Sequence, residues 1–474
     1  MARSWILALL ALAWSSFARG DEQQPTRRPN VLFVCVDDLN DWIGPLGGFG
    51  EVPKTPNFDA LAARGVTFTN AHCAAPACNP SRVAVLTGRR PSSSGVYVND
   101  SDWRAVMPDV VTLPMAFQKA GYQVVGLGKV FHAEDQDEEA WDQYVSLPNP
   151  LRYVKHHRAG KIAWAGIEGI EDKMPDREQA RMGARFLRRK HDEPFFLSVG
   201  FKRPHLPWIV PQAFYDLYEA DAVPLPPTQE DDLRDVPDAG RAIVEANAKD
   251  HAKVLELRAW QPAVHAYLAS ITFVDAQLGR LLRSLETGPN ADDTIVVLWS
   301  DHGFHLGEKG HWRKFSLWED ATRVPLFVVV PERFGLAPGG TRIDEAVELT
   351  SIYATLAELC DLPLPSEQPL DGASLVPLLA EPRSAREEPA LITFRPGNHA
   401  VRDERWRYIR YADGSEELYD HETDPHEWTN LARDPRTAEV RASLARWLPE
   451  TGAQEAPPRW KAKAGEASES GEDD

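Results

Sequence analysis

Short apolar runs rich in β-branched and aromatic residues punctuate the chain at 31–36, 122–127, 195–199, 294–299 and 326–330. Apolar residues fill both alternating positions of each run, so each predicts a strand covered on both faces. Between the runs lie segments with helical spacing. One covers 57–64 and is entered through Thr55 and Pro56, a cap and first-turn pair. Another covers 263–285, with Ile271, Val274, Leu278, Leu281, Leu282 and Leu285 on one face and Gly288-Pro289 as its stop. Strands alternating with helices predict an α/β domain built on a central mixed, mainly parallel sheet flanked by helices. Ligands in such sheets gather at the carboxyl ends of the strands.

The pattern weakens over 133–257, where acidic and proline-rich stretches such as 222–238 predict long loops. It changes again near 381. Short strands at 390–394, 399–402, 406–411 and 417–419, then a helix at 439–447, predict a smaller C-terminal α+β subdomain. The organisation read from the chain is a signal peptide over 1–20, a catalytic domain over 27–380, the subdomain over 381–452, and a disordered acidic tail over 456–474. The signal peptide rests on Arg3, the apolar stretch 5–14 and the small-x-small site Ser16-Phe17-Ala18. That stretch is too short for a membrane span, and no other run is long enough. The expected location is therefore secreted or periplasmic.

At 474 residues, 43% hydrophobic and 26% charged, the chain has the composition of a folded globular protein. A net charge of -19 argues against nucleic acid or an anionic membrane as partner. An anionic substrate must then be drawn in by a local basic pocket. The four cysteines, Cys35, Cys73, Cys78 and Cys360, do not make a disulfide framework. Cys35, inside an apolar strand, reads as a small buried hydrophobe.

The chemistry concentrates around Cys78-Asn79-Pro80-Ser81-Arg82, followed by Leu86-Thr87-Gly88-Arg89. A helix starting here would put Cys78 at an anion-binding end, with oriented N–H groups, Ser81 as a cap, and Arg82 and Arg89 adding charge. Alone, the thiol also fits a redox or simply buried cysteine. Asp37-Asp38 end the first strand, and Asp301-His302 follow the fourth. Adjacent carboxylates repel unless a cation lies between them, and oxygen ligands favour Ca²⁺ or Mg²⁺. Lys129 and His132 follow the second strand, Lys202, Arg203 and His205 the third, and Lys314 a turn beyond Asp301.

Together these strings resemble the type I sulfatases. Gly128-Lys129-Val130-Phe131-His132, Lys202 to Pro207, Ser300 to Lys314, and Ala400-Val401-Arg402 with Trp406-Arg407-Tyr408 resemble most the branch of iduronate-2-sulfatase and related bacterial polysaccharide sulfatases. The resemblance implies an alkaline-phosphatase-like fold. It implies oxidation of Cys78 to formylglycine (3-oxoalanine) by a formylglycine-generating enzyme, and one Ca²⁺ bound by Asp37, Asp38, residue 78, Asp301 and His302. It implies that Arg82, Lys129 and Lys314 neutralise sulfuryl oxygens, that His205 protonates the leaving alcohol and that His132 assists sulfate release. The implied substrate is a sulfated saccharide. Trp103 with Arg104, and Trp312, are candidates for sugar contact, and His305 and 99–104 for selecting the sugar. A phosphatase or phosphonate hydrolase of the same fold is the alternative activity, and a catalytically dead glycan-binding relative the non-enzymatic one.

Overall fold

The computed structural model describes residues 28–132 and 136–459. The signal segment and residues 460–474 of the expected tail lie outside the described residues. Eight strands form the central sheet, in the order Thr341–Ile343, Val66–Phe68, Leu326–Val329, Thr294–Ser300, Asn30–Asp37, Phe195–Pro204, Gln123–Gly128, Gln143–Val145. The five strands from Thr294–Ser300 to Gln143–Val145 run parallel. The Leu326 strand is reversed against both its neighbours.

Strand alternation sorts the core into two layers. Leu32, Val34 and Val36 face the side covered by helices Pro175–Leu187 and Trp260–Glu286. Val31, Phe33 and Cys35 face the side that holds Val83, Val85 and Leu86 of helix Cys78–Thr87 and Ile352 and Leu356 of helix Ser351–Leu359. All four cysteines are buried free thiols. Among the described residues no helix is long and apolar enough to cross a membrane.

Several expectations needed correction. Thr55 does not cap helix Pro56–Arg64; its hydroxyl accepts from Gly44 N at 2.9 Å. The first-turn N–H groups of Asn57 and Phe58 instead go to Asp275 Oδ1, both at 2.9 Å, from helix Trp260–Glu286. Residues 133–257 are not mainly loop. They carry helix Pro175–Leu187 and a three-stranded sheet of His157–Ala159, Ile162–Ile167 and Trp208–Pro211. The helix was hidden because much of its buried face is Gln179, Ala180, Gly183 and Ala184, small or polar residues with little apolar signal. The tail begins later than 456. Ala456 N donates to Gly95 O, Asp102 N to Pro457 O and Arg459 N to Asp100 O, each at 2.8 Å, so this stretch lies along 95–102.

Beyond the main sheet, Ala390–Thr393, His399–Arg402, Trp406–Arg410 and Glu416–Asp420 form an antiparallel sheet. Leu444, of helix Ala438–Ala445, packs with Val401, Tyr408 and Leu418 on one of its faces. The fully buried Arg407 ties this sheet to Glu319 of the main body, and Trp318 Nε1 donates to Glu417 at 2.8 Å.

Two glycines set the approach of the site-bearing strands. Gly128 and Gly200 are paired, Lys129 N donates to Gly200 O at 3.0 Å, and a Cβ on Gly200 would lie 2.0 Å from Lys129 O. Gly200→Ala therefore pushes the Lys129 backbone off the sheet. We expect about 1–3 kcal/mol lower stability, the range for overpacking, measured by chemical denaturation. Wild-type stability in this variant would show that the close approach is not required.

Candidate active site

The carboxyl edge of the parallel strands carries the chemistry. Strand Asn30–Asp37 ends on Asp37, and Asp38 turns the chain with a φ of 62. That left-handed backbone is tolerated by Asp better than by most residues. The Asp38 N–H then reaches Asp301 Oδ1 at 3.1 Å. Tyr267, from helix Trp260–Glu286, donates its hydroxyl to Asp38 O at 2.7 Å and accepts from Asn40 N at 3.0 Å. Ser300 Oγ accepts from Leu39 N at 3.0 Å and donates to His302 O at 3.1 Å, locking the two strand ends together.

Helix Cys78–Thr87 enters from the side, and all ten of its residues are buried. Gly88 ends it with a φ of 69, where a side chain would meet Leu370 and Tyr353, which accounts for the glycine of the Leu-Thr-Gly-Arg string. Ser81 does not cap the helix; its hydroxyl donates to Asp301 O. Asn79 N is taken by Asn99 Oδ1 at 3.1 Å and Pro80 has no N–H, so the helix end does not offer the row of free donors expected.

Asp37, Cys78, Asp301 and His302 each place a ligand atom within 4.8 Å of the others, and Asp38, Cys78 and His205 form a second such group. His302 Nδ1 donates to Gly303 O at 3.1 Å, which turns Nε2 toward Cys78 Sγ at 3.3 Å and Asp38 Oδ1 at 3.5 Å. Fixing one imidazole nitrogen on a carbonyl to present the other is how histidine ligands are oriented. Lys314 Nζ lies 3.1 Å from both Asp38 Oδ1 and Cys78 Sγ, and Lys129 Nζ 2.7 Å from Asp37 Oδ2. His205 Nδ1 bonds Leu206 O at 2.6 Å, leaving Nε2 for the site. His132 is buried in the turn after the Gln123–Gly128 strand.

Arg82 does not face a substrate. Its fully buried guanidinium bonds Asp301 Oδ2 at 2.8 Å, Asp37 Oδ1 at 3.2 Å, and the Lys129 and Val130 carbonyls at 2.6 and 3.0 Å. Four of its five N–H donors hold three strand ends, so it positions carboxylates instead of contacting sulfuryl oxygens. Arg89 turns away to Pro369 O. Arg203 is buried against the His205 and Ile209 carbonyls and cannot grip a saccharide; Lys202 is half-buried. Trp103 is fully buried and stacks on Phe131 at 5.4 Å, Trp312 is buried with its Nε1 on His251, and His305 is buried, so none of the three touches a sugar. Tyr267 and the role of Ser300 were missed, and Asn99, expected to help select the sugar, instead accepts from Asn79 N. Nothing in a local pattern distinguishes a tyrosine inside a helical apolar stripe from ordinary core.

The electrostatics follow from burial and crowding. Burial pushes the Asp38 carboxyl up to about 7; Lys314 pulls it down and Asp37 pushes it further up. Burial raises Asp37 too, but Lys129, His205, Arg82 and Lys314 outweigh it and hold that carboxyl well below its ordinary range. Burial would lower His302, yet Asp301 and Cys78 raise it to about 9. Burial would raise the Cys78 thiol, but Lys129 and Lys314 bring it below its ordinary value. Burial drops His205 well below the ordinary imidazole value; Asp37 opposes this, and Lys314, Lys129 and Lys202 add to it. The cluster thus draws protons onto Asp38 and His302, which is what a carboxylate-rich donor set built for a cation does without one. Three carboxylates fit a hard divalent ion; the sulfur of Cys78 is the one soft donor among them.

The fold is that of the alkaline-phosphatase-like hydrolases, with Cys78 at a helix start beside a cluster of ligand-type side chains at the sheet's carboxyl edge. The sulfatase family model matches residues 29–362, and the model described as N-sulphoglucosamine sulphohydrolase, C-terminal, matches 307–454. A protein named sulfatase from Formosa agariphila is 38% identical, over 94% of this chain and 92% of its own. The choline-sulfatase of Rhizobium meliloti is 31% identical over 88% and 85%. The iduronate 2-sulfatase of Mus musculus is 30% identical over 77% and 74%. The crystal structure of the phosphonate monoester hydrolase of Agrobacterium radiobacter superposes with a TM-score of 0.73 at 24% identity, covering 88% of this chain and 94% of that one. The chain belongs to the sulfatase family.

Asp38 provides a pH test. Its folded value of about 7 lies above its ordinary 3.8, so the stability it lends is complete below 3.8 and lost as pH rises through about 7. In chelator, the difference in stability between wild type and Asp38→Asn should change across that window and level off above it. Saturating Ca²⁺ should flatten the change. A difference independent of pH in chelator would contradict the raised Asp38.

Proposed function

We propose that the protein hydrolyses sulfate esters of saccharides, with Cys78 converted to formylglycine and one Ca²⁺ held by Asp37, Asp38, residue 78, Asp301 and His302. The observation that carries this reading is the placement of Cys78. Its sulfur lies 3.1 Å from Lys314 Nζ and 3.3 Å from His302 Nε2, within a carboxylate cluster whose other chemistry suits a hard cation. Replacing that sulfur by the oxygen of a hydrated aldehyde makes the donor set uniform in hardness. When bound, the ion supplies positive charge against the sulfuryl oxygens, and the hydrated aldehyde supplies the attacking oxygen.

The chain's own residues do the rest. Lys129 and Lys314 bring two ammonium groups to the sulfate pocket, where buried charge acts strongly on a developing anion. Arg82 fixes the Asp37 and Asp301 carboxylates in place. Burial, reinforced by the lysines against the opposing pull of Asp37, holds the free His205 ring neutral. The negative charge of a bound sulfate ester offsets them and lets the ring carry the proton it hands to the departing alcohol. His132 serves the later release of sulfate. The relatives' names support a small or saccharide sulfate ester, and the resemblance to the iduronate-2-sulfatase branch favours a sulfated uronate or a related glycan. Helix Cys78–Thr87 is buried throughout, so a formylglycine-generating enzyme must meet Cys78 before the chain folds. The N-terminal signal pattern agrees with action outside the cytoplasm.

Two measurements test this reading. Peptide mass spectrometry across Cys78 in active protein should show a loss of about 18 Da, thiol to aldehyde, and Cys78→Ala should abolish turnover of sulfated saccharides. Strong activity in that variant, or a preference for phosphonate or phosphate esters over sulfates in the same panel, would refute it. His205→Ala should slow alkyl sulfate hydrolysis by about 10²–10⁴-fold, the usual worth of acid–base catalysis, and nitrophenyl sulfate hydrolysis far less, because a good leaving group needs little protonation. Equal losses on both substrates would make His205 a binding group.

A further inference from the structure

A second group of ligand-type side chains lies apart from the catalytic cluster. His305, Glu308 and Asp320 each bring a nitrogen or carboxylate oxygen within 4.8 Å of the others. His305 begins a short hairpin, His305–Leu306 paired with Trp312–Arg313, Glu308 sits at its tip, and Asp320 lies in helix Glu319–Thr322 packed beside it.

His305 is fully buried and its Nδ1 has no hydrogen-bond partner. Its Nε2 is 2.8 Å from Ser316 Oγ. With Nε2–H donated to that hydroxyl, the Nδ1 lone pair faces Asp320 Oδ2 across 3.6 Å with no hydrogen bond between them. In the other tautomer Nδ1–H would point across the same 3.6 Å, beyond hydrogen-bond reach. Buried orphan nitrogens are rare and need a reason. Among the described residues, neither Glu308 nor Asp320 pairs with a lysine or arginine. Burial, then Glu308, Asp41, Glu427 and Glu319, push Asp320 well above its ordinary range, and burial pushes Glu308 up to about 7. Arg323, which lines the same cavity as Asp320, is engaged by Asp41 at 2.9 Å. Asp320 also lines a cavity of about 750 Å³, which gives an ion a way in.

We propose that His305 Nδ1, Glu308 and Asp320 form a second divalent-cation site, suited to a borderline ion such as Zn²⁺ or Mn²⁺. One imidazole with two carboxylates is a softer, smaller donor set than the oxygen-rich catalytic cluster, and selects against Ca²⁺. The ion would clamp the hairpin to helix Glu319–Thr322. That matters because the segment carries Lys314 on a strained backbone. Lys309, Arg313 and Phe315 have φ of 52, 74 and 76, and His311 Nε2 bonds Lys314 O at 2.8 Å. Such conformations persist only where their surroundings hold them.

The test uses the full-length Cys78→Ala protein saturated with Ca²⁺, so that neither the thiol nor the catalytic carboxylates bind the probe. Titrated with Zn²⁺ and, separately, Mn²⁺, it should take up one further equivalent by calorimetry and native mass spectrometry, with a rise in Tm. Adding His305→Ala or Asp320→Asn should remove that equivalent and the Tm rise, while the bound Ca²⁺ stays. Asp320→Asn changes a partly exposed side chain and carries the test if His305→Ala does not fold, the retained Ca²⁺ reporting an intact fold. No uptake of either metal overturns the proposal. So does uptake that persists in Asp320→Asn, which would move the ion to another cluster such as Glu319, His421 and Glu427.

Discussion

Concentrating negative charge in a dry place is the constraint around which this molecule is organised. Asp37, Asp38 and Asp301 are all buried at one edge of one sheet. Unpaired, any of them would be costly to ionise. The structure answers with Arg82 beneath the carboxylates and Lys129 and Lys314 beside them, each of the three drawn from a different segment. Breaking any one pair leaves a buried charge uncompensated, so the site and the stability of the sheet edge are one problem.

The scaffold makes that charge density possible through short, specific contacts. Gly128 and Gly200 let two strands close tightly enough to fold Lys129 over the edge. Tyr267 and Ser300 tie the Asp38 turn and the His302 loop to a long buried helix and to a central strand. Ser81 reaches the Asp301 carbonyl from the nucleophile helix. None of these groups has chemistry of its own to offer the substrate. They remove freedom from those that do, which is where the precision of a catalytic constellation comes from.

Across the Ser300–Lys314 loop the same logic recurs with a different outcome. His302 has its Nδ1 satisfied by a carbonyl, and its Nε2 points into the catalytic cluster. His305, three residues on, has the reverse: Nε2 satisfied and Nδ1 left facing carboxylates. One loop thus presents two imidazoles to two acidic groups. The C-terminal sheet braces the second group through Arg407 and Glu319, so the small subdomain bears on the segment that carries Lys314.

What the sequence determined by itself was whatever is written in local periodicity or in compact strings. The five main strands were legible because residues buried on both faces must be apolar at both alternating positions, and their reading agrees with the observed spans to within a few residues. So were helix Trp260–Glu286, the C-terminal sheet, the Cys78 string at a helix start, and the Asp37-Asp38 and Asp301-His302 strings at the strand ends. Tertiary structure alone decided the rest, because those facts depend on residues far apart in the chain. Helix Pro175–Leu187 buries small and polar residues whose shape complementarity has no sequence period. The cap of helix Pro56–Arg64 comes from Asp275, more than two hundred residues away. Residues 456–459 are ordered by backbone pairing with 95–102, which composition does not record. Arg82 was read as a substrate contact because its motif shows only that charge is needed. Which way the guanidinium faces was settled by the convergence of Asp37, Asp301 and two carbonyls around it.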